Sequence, residues 1–366
     1  MKIKTEVLVV GGGPAGATVA RFVAGGGREV CLLEKDLNHQ KPCGGGMPEA
    51  LYREFSIGFP ERHRKTRFVR IVSPSSREMV IELEGGHLVT VDRREFDQAL
   101  RQRARQEGAL VVEGQFINIK EWGRRSLVVE ALVEGQRTLF ETRYLVGADG
   151  VNSSVRRAAG LKHIKKAYTL SLKTSEMHTE QCQFWFSKEH APYFYSWVFP
   201  SPEGVSTGTG TLEPAMARGL FQRFLQRLNT ELPLQDLRGY YIPLWDDYEF
   251  YRDGVFFVGD AAGQVMPFTY EGIYYAMKSA EFVAEAILKN RPSLYRALWK
   301  KRFYSRFKLM QRISRYFYRS DRRIETLFDI FQNPKVQKAS MKLWLEKDTS
   351  RGALLSYINI FRRFLK

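Results

Sequence analysis

Cysteine is scarce in this chain of 366 residues, with Cys31, Cys43 and Cys182 as the whole complement. Three scattered thiols build neither a disulfide framework nor a zinc site, and they point to a reducing compartment. Long apolar runs are missing too: no stretch approaches the roughly 18 residues needed to cross a bilayer. Met1-Lys-Ile-Lys-Thr5 leads straight into apolar sequence with no room for a cleavable signal, so a cytoplasmic protein is expected. Acidic residues are short in one place only. Of the net charge of +17, +16 falls on residues 289–366, and the rest of the chain is close to neutral. Hydrophobic residues at 44% and charged residues at 27% exclude a disordered chain, and the length allows two or three domains.

The most informative stretch is residues 5–36. A short apolar run, Val7 to Val10, ends at Gly11-x-Gly13-x-x-Gly16, an Ala-rich helical segment follows, and a second apolar run closes on Glu34. This predicts strand, turn, helix and strand. Gly11 allows the tight turn, Gly13 lets backbone approach a pyrophosphate, and Gly16 lets helix pack close on strand. The helix N-terminus favours phosphate charge, and Glu34 is placed to accept from ribose hydroxyls. Glycines in this pattern also occur in plain turns, but here the strand, helix and acid are all present, so dinucleotide binding is expected.

Lys41-Pro-Cys-Gly-Gly-Gly-Met47 comes next. Three successive glycines form no regular element and bring backbone close to something bulky. The stretch is either a flexible loop with a buried thiol or a loop that sets Cys43, Gly44 and Gly45 beside a reactive group. Residues 66–91 alternate as strands, and Asp92-Arg93-Arg94-Glu95-Phe96-Asp97 opens an amphipathic helix. Arg93 fits a phosphate contact or a surface position equally well. A second glycine corner, Ala148-Asp149-Gly150, follows a strand, and a third, Gly259-Asp260, leads through Pro267 to a helix beginning near Gly272-Ile273. Asp260 can hydrogen-bond a polyol, and the N–H groups near Gly272 can face a carbonyl edge. Between these corners residues 165–245 are rich in aromatics. In Pro192-Tyr-Phe-Tyr-Ser-Trp-Val-Phe-Pro200 a period of two puts Tyr193, Tyr195, Trp197 and Phe199 on one face, as core or as the lining for a long apolar ligand.

In this order, these motifs resemble the FAD-dependent oxidoreductase superfamily that includes p-hydroxybenzoate hydroxylase. Within it, Pro42-Cys43-Gly44-Gly45 and Tyr195-Ser-Trp197-Val-Phe199-Pro200 resemble the geranylgeranyl reductase family. The resemblance implies an α/β fold: a Rossmann-like FAD-binding domain (1–65, 90–162 and 248–288), an inserted antiparallel-sheet substrate domain (66–89 and 163–247), and a basic helical C-terminal region (289–366). It implies FAD bound by Gly11, Gly13, Pro14, Ala15, Gly16, Glu34, Lys35, Arg93, Asp149, Gly150, Gly259, Asp260, Pro267, Gly272 and Ile273. It also implies reduction of isolated double bonds in isoprenoid chains carried on lipids, quinones or pigment precursors. Tyr270 departs from the pattern, since the family's loop usually carries glycine there, and its ring would reshape the substrate side of the site.

The chemistry then expected is hydride delivery from reduced FAD to one alkene carbon and a proton to the other, with Cys43 as proton donor or packing element. No second glycine-rich nucleotide unit is present, so NAD(P)H docks transiently or a reduced ferredoxin-type carrier delivers electrons. Leu294–Met310 and Ile358–Lys366 mix aromatics and cations at helical spacing. They suit either an anionic membrane surface, with peripheral attachment, or a cap with a solvated basic face. Two alternatives use the same features. One is a flavin monooxygenase or halogenase acting on an aromatic substrate. The other is a nucleic-acid-binding flavoprotein, against which stands the lack of any recognised RNA-binding module.

Overall fold

The computed structural model describes residues 2–347 and 351–361, and these divide into two compact units. The first comprises residues 1–40, 94–166 and 242–304; the second comprises 41–93, 167–241 and 305–366.

In the first unit the strand Lys2–Val10 is flanked by Val30–Glu34 and Gln136–Gly147, parallel to both. Leu110–Trp122 extends the sheet beside Val30–Glu34, and Val255–Phe257 extends it beside Gln136–Gly147, again in parallel. Parallel strands need cover on both faces, so they read as continuous apolar runs. Val7, Leu8, Val9 and Val10 are accordingly all buried. The helix Pro14–Gly25 follows the first strand at once and packs on the helix Ile273–Leu288.

The second unit holds a seven-stranded sheet in the order Arg238–Pro243, Lys166–Thr174, Gly204–Thr211, Ser196–Ser201, Cys182–Trp185, Phe68–Val72 and Glu78–Glu82. One pair, Cys182–Trp185 with Phe68–Val72, is parallel. The helix Ala217–Arg227 covers one face through Phe221 and Phe224. The expected α/β architecture is therefore present: one unit holds a sheet with a parallel core of strands, and the other holds a largely antiparallel sheet.

The unit boundaries differ from those expected. Residues 41–65 belong to the second unit, because Gly46–Pro48 and His63–Thr66 both pair with Leu88–Val91. The basic C-terminal region is divided between the units. Residues 289–304 stay with the first, where Tyr295, Trp299 and Phe303 are buried, and residues 305–361 belong to the second. Burial of these rings agrees with a cap that keeps a solvated basic face. Burying those rings stabilises the units by about 2 kcal/mol or more each, so the rings face inward. What remains outward on the helix Ser305–Phe317 and its end is a row of exposed cations, Lys308, Arg312, Arg315 and Arg319. Residues 362–366 of the second basic stretch lie outside the described residues. Among the described residues no helix is long and apolar enough to cross a membrane.

Gly16 and Gly13 have opposite surroundings within one turn. A Cβ on Gly16 would overlap the Gly11 carbonyl oxygen, whereas one on Gly13 would meet nothing within 4 Å. Gly16→Ala is expected to lose about 3 kcal/mol or more of unfolding free energy, as overpacking does, and Gly13→Ala to stay within about 1 kcal/mol of the parent. Denaturant unfolding without added cofactor checks this, and equal losses would contradict it.

Candidate functional site

The glycine turn is built by exclusion. Gly11 has φ of +102°, which favours glycine, and a Cβ there would collide with the Ala148 carbonyl and lie 2.8 Å from the Asp149 nitrogen. The first and second glycine corners are thus in backbone contact. The third joins them: a Cβ on Gly259 would lie 3.2 Å from that of Ala15 and 3.0 Å from that of Ala276. Near it, Gly272 opens the Ile273–Leu288 helix with the Asp260 Oδ1 3.5 Å from its would-be Cβ. Neither the Pro14–Gly25 helix nor the Ile273–Leu288 helix has a side-chain cap at its N-terminus. Two helix starts without side-chain caps are thereby assembled in one unit.

The acids at these corners hold the loops as well as facing them. Glu34 accepts from the Gly12 N–H through Oε2 and from the Asp36 N–H through Oε1 at 3.1 Å. Asp149 accepts from the Ser153 hydroxyl at 2.5 Å and from the Ser154 and Val155 N–H groups at 2.6 and 3.1 Å. Burial pushes the Asp149 carboxyl above the usual range, and the bonds from Ser153, Val155 and Ser154 oppose that shift. Lys35, expected among the cofactor contacts, is exposed, and Pro267 is buried. Tyr270 adopts φ of +53° and donates its N–H to the Met266 carbonyl. A left-handed backbone of this kind favours glycine, and Tyr270 holds it with a full side chain.

Sequence reasoning missed two buried arginines. Arg101 donates to the carbonyls of Gly12 at 3.0 Å and Leu37 at 2.7 Å, bracing the first turn from behind. Arg156 donates to those of Lys162 at 2.7 Å and Glu249 at 2.8 Å. A signal for Arg101 was available, since it lies one residue from Leu100 and three from Ala104 on the apolar stripe of its helix.

The remaining expected residues lie in the second unit. The Cys43 sulfur accepts from the Gly45 N–H and from the Arg93 guanidinium, each at 3.3 Å. Arg93, expected at a phosphate, is buried against this sulfur. Gly45 has φ of +71°, and a Cβ on it would lie 2.5 Å from the Val91 carbonyl oxygen. A Cβ on Gly44 would lie 2.7 Å from the Phe199 ring and 3.4 Å from the Trp197 indole nitrogen. The glycines thus let the loop lie directly on the aromatic strand. Tyr195, Trp197 and Phe199 belong to one cluster. Tyr193 does not, because it sits at φ of +68° before the strand begins and is exposed.

The FAD binding domain family matches residues 4–231 of the chain. Corner geometry and match together define an FAD-dependent oxidoreductase. Over 98% of its length the chain is 32% identical to geranylgeranyl diphosphate reductase of Rhodobacter capsulatus, covering 96% of that protein. The chain belongs to the geranylgeranyl reductase family. Its fold matches a geranylgeranyl bacteriochlorophyll reductase-like protein of Thermoplasma acidophilum with a TM-score of 0.83 at 23% identity, covering 99% of each chain. It also matches a flavin-dependent brominase with a TM-score of 0.79 at 18% identity, covering 98% of this chain and 99% of the other. Fold alone does not separate reductase from halogenase; sequence does.

Behind the aromatic strand, fully buried His190 donates from Nδ1 to Ser196 at 2.8 Å, Ser196 to Thr209 at 2.9 Å, and Thr209 back to the His190 carbonyl at 2.6 Å. Burial, aided by the charge of Arg227, pushes the imidazole down from 6.5 to about 3. The folded protein therefore keeps His190 neutral at pH values where the unfolded chain protonates it. Stability contributed here is whole above pH 6.5 and is lost progressively as pH falls toward about 3. Urea unfolding at pH 7 and pH 5 should show His190→Asn losing less stability between the two than the parent. An equal loss would contradict this.

Proposed function

We propose that this protein saturates carbon–carbon double bonds of an isoprenoid chain carried on a lipid, quinone or pigment precursor. The observation that supports this most is the joining of three glycine corners in one unit of a geranylgeranyl reductase family member. The cradle fits FAD: Gly13 leaves bare backbone with nothing where a Cβ would sit, at a helix start without a side-chain cap. In this reading Gly11, Gly13, Pro14, Ala15 and Gly16 hold the pyrophosphate, and Glu34 and Lys35 the adenosine ribose. Asp149 and Gly150 order the phosphate region. Gly259, Asp260 and Pro267 serve the ribityl chain, and Gly272 and Ile273 the pyrimidine edge.

Bound and reduced, FAD supplies the hydride. The chain's own residues supply orientation, dryness and a proton. An isolated alkene develops no oxyanion for N–H donors to stabilise, so placement must account for much of the rate. Tyr195, Trp197 and Phe199 are the candidate walls for the prenyl chain. Cys43 is the candidate to give the proton to the second alkene carbon, with Gly44 and Gly45 holding its loop and Arg93 and the Gly45 N–H fixing its sulfur. Electrons come from NAD(P)H or a ferredoxin-type protein. Peripheral attachment to an anionic membrane runs through the exposed row Lys308, Arg312, Arg315 and Arg319, at about 1 kcal/mol per cation. With the neighbouring rings buried, that attachment is electrostatic and reverses with salt.

Chemically reduced, FAD-loaded protein incubated anaerobically with geranylgeranyl diphosphate should give products heavier by two hydrogens per bond reduced, read by mass spectrometry. A hydroxylated or halogenated aromatic product with rapid oxygen uptake would support the alternative instead. Cys43→Ala, with FAD still bound, should lower turnover by about a hundredfold or more, as loss of a general acid does. Unchanged turnover would remove the donor role.

A further inference from the structure

The strand Ser196–Ser201 sends Val198 to one face of its sheet and Trp197 and Phe199 to the other. The helix Ala217–Arg227 covers the Val198 face. The Trp197 face is covered by the chain's own C-terminal part. Met341 and Leu345, on and just past the helix Pro334–Trp344, share a buried cluster with Trp197 and Phe199, and half-buried Trp344 packs at its edge. Phe184 is the hub, its ring edge-on to Tyr195 at 5.2 Å, Phe199 at 5.0 Å and Trp344 at 6.0 Å.

This arrangement has a dry floor and a wetter rim. Trp197, Phe199, Met341 and Leu345 are buried, while Phe184, Tyr195 and Trp344 keep part of their surface in water. Partly exposed rings beside a buried apolar floor gain further burial when something apolar covers them. A flexible hydrocarbon without polar groups matches that lining, which offers dispersion contacts and ring faces. A chain lying along Tyr195, Trp197 and Phe199 must also meet the helix that already touches them.

We propose that the Pro334–Trp344 helix forms the second wall of the isoprenoid-chain site, and that Trp344 is a specificity-determining residue that limits chain length. The inference rests on the reductase reading and deepens it. An indole at the rim stops a long chain by bulk; its removal opens room on the order of one further isoprene unit. Met341 is unbranched and adaptable, so it follows the chain rather than stopping it.

The test uses full-length, FAD-loaded protein and diphosphates of geranyl, farnesyl and geranylgeranyl chains, which share one head group. Trp344→Ala should raise the kcat/KM ratio of geranylgeranyl over farnesyl substrate by about tenfold, through KM, as pocket shape effects do. Trp344→Phe should shift it the same way by a smaller factor, and it decides the matter if the alanine variant does not fold. Binding of the saturated alcohol phytanol to oxidised protein gives a readout without turnover. Phytanol should shift tryptophan emission of the parent to shorter wavelength by covering the partly wet Trp344, and Trp344→Phe should lose part of that shift. Unchanged length ratios in variants with parental circular dichroism, or an identical emission shift in Trp344→Phe, would overturn the proposal. If the parent reduces none of the three substrates yet the variants alter phytanol binding, the reductase reading fails and the wall stands.

Discussion

Backbone approaching backbone with no side chain between is the constraint on which the nucleotide-binding unit depends. Gly11, Gly16 and the Ala148–Asp149 turn meet at distances that leave no volume for a methyl group. Because that contact is so close, the first strand, the first helix and the end of Gln136–Gly147 take up one fixed arrangement. Arg101 and Arg156 lock the loops around it from behind, through carbonyls rather than carboxylates. Bonds from buried guanidinium groups to carbonyls are among the stronger ones available, and breaking them leaves a costly unpaired charge. The unit thus presents preorganised N–H groups, the property a phosphate-binding turn requires.

The second unit follows a different logic, apolar on both sides of a mixed sheet. One side is a conventional core closed by the Ala217–Arg227 helix. The other consists largely of rings and ends in residues that remain partly wet. The Cys43 loop is laid on that side by its glycines, and its sulfur is held by two N–H donors. A reducing enzyme for isolated double bonds needs both kinds of surface: a polar cradle that fixes a cofactor and an apolar wall that fixes a substrate without hydrogen bonds.

Much of this was legible in the sequence, and for local reasons. The Gly11-x-Gly13-x-x-Gly16 turn, its flanking strands and the acid at Glu34 are set by residues within a span of 30, where steric rules act directly. The stripe Tyr195, Trp197 and Phe199 followed from strand periodicity. Tyr193 did not join it, because periodicity says nothing of where a strand starts, and a left-handed residue ends the pattern. The basic tail stayed ambiguous for a related reason. Amphipathic spacing identifies an apolar face but not what covers it, and here the protein's own interior covers Tyr295, Trp299 and Phe303. The contact of Arg93 with Cys43 was out of reach because the two lie 50 residues apart along the chain. The covering of the aromatic strand by residues near 341 is longer-range still.

The central claim is that these corners together hold one FAD. Titration of flavin-free protein with FAD, followed by visible absorbance and by the quenching of flavin fluorescence, tests it directly. Saturation at one FAD per chain, with affinity strongly weakened when Gly13 is replaced by a bulky residue and the fold is intact, is the predicted result. Protein that stays colourless at saturating FAD, or binds it equally well with the Gly13 turn filled, would contradict the account.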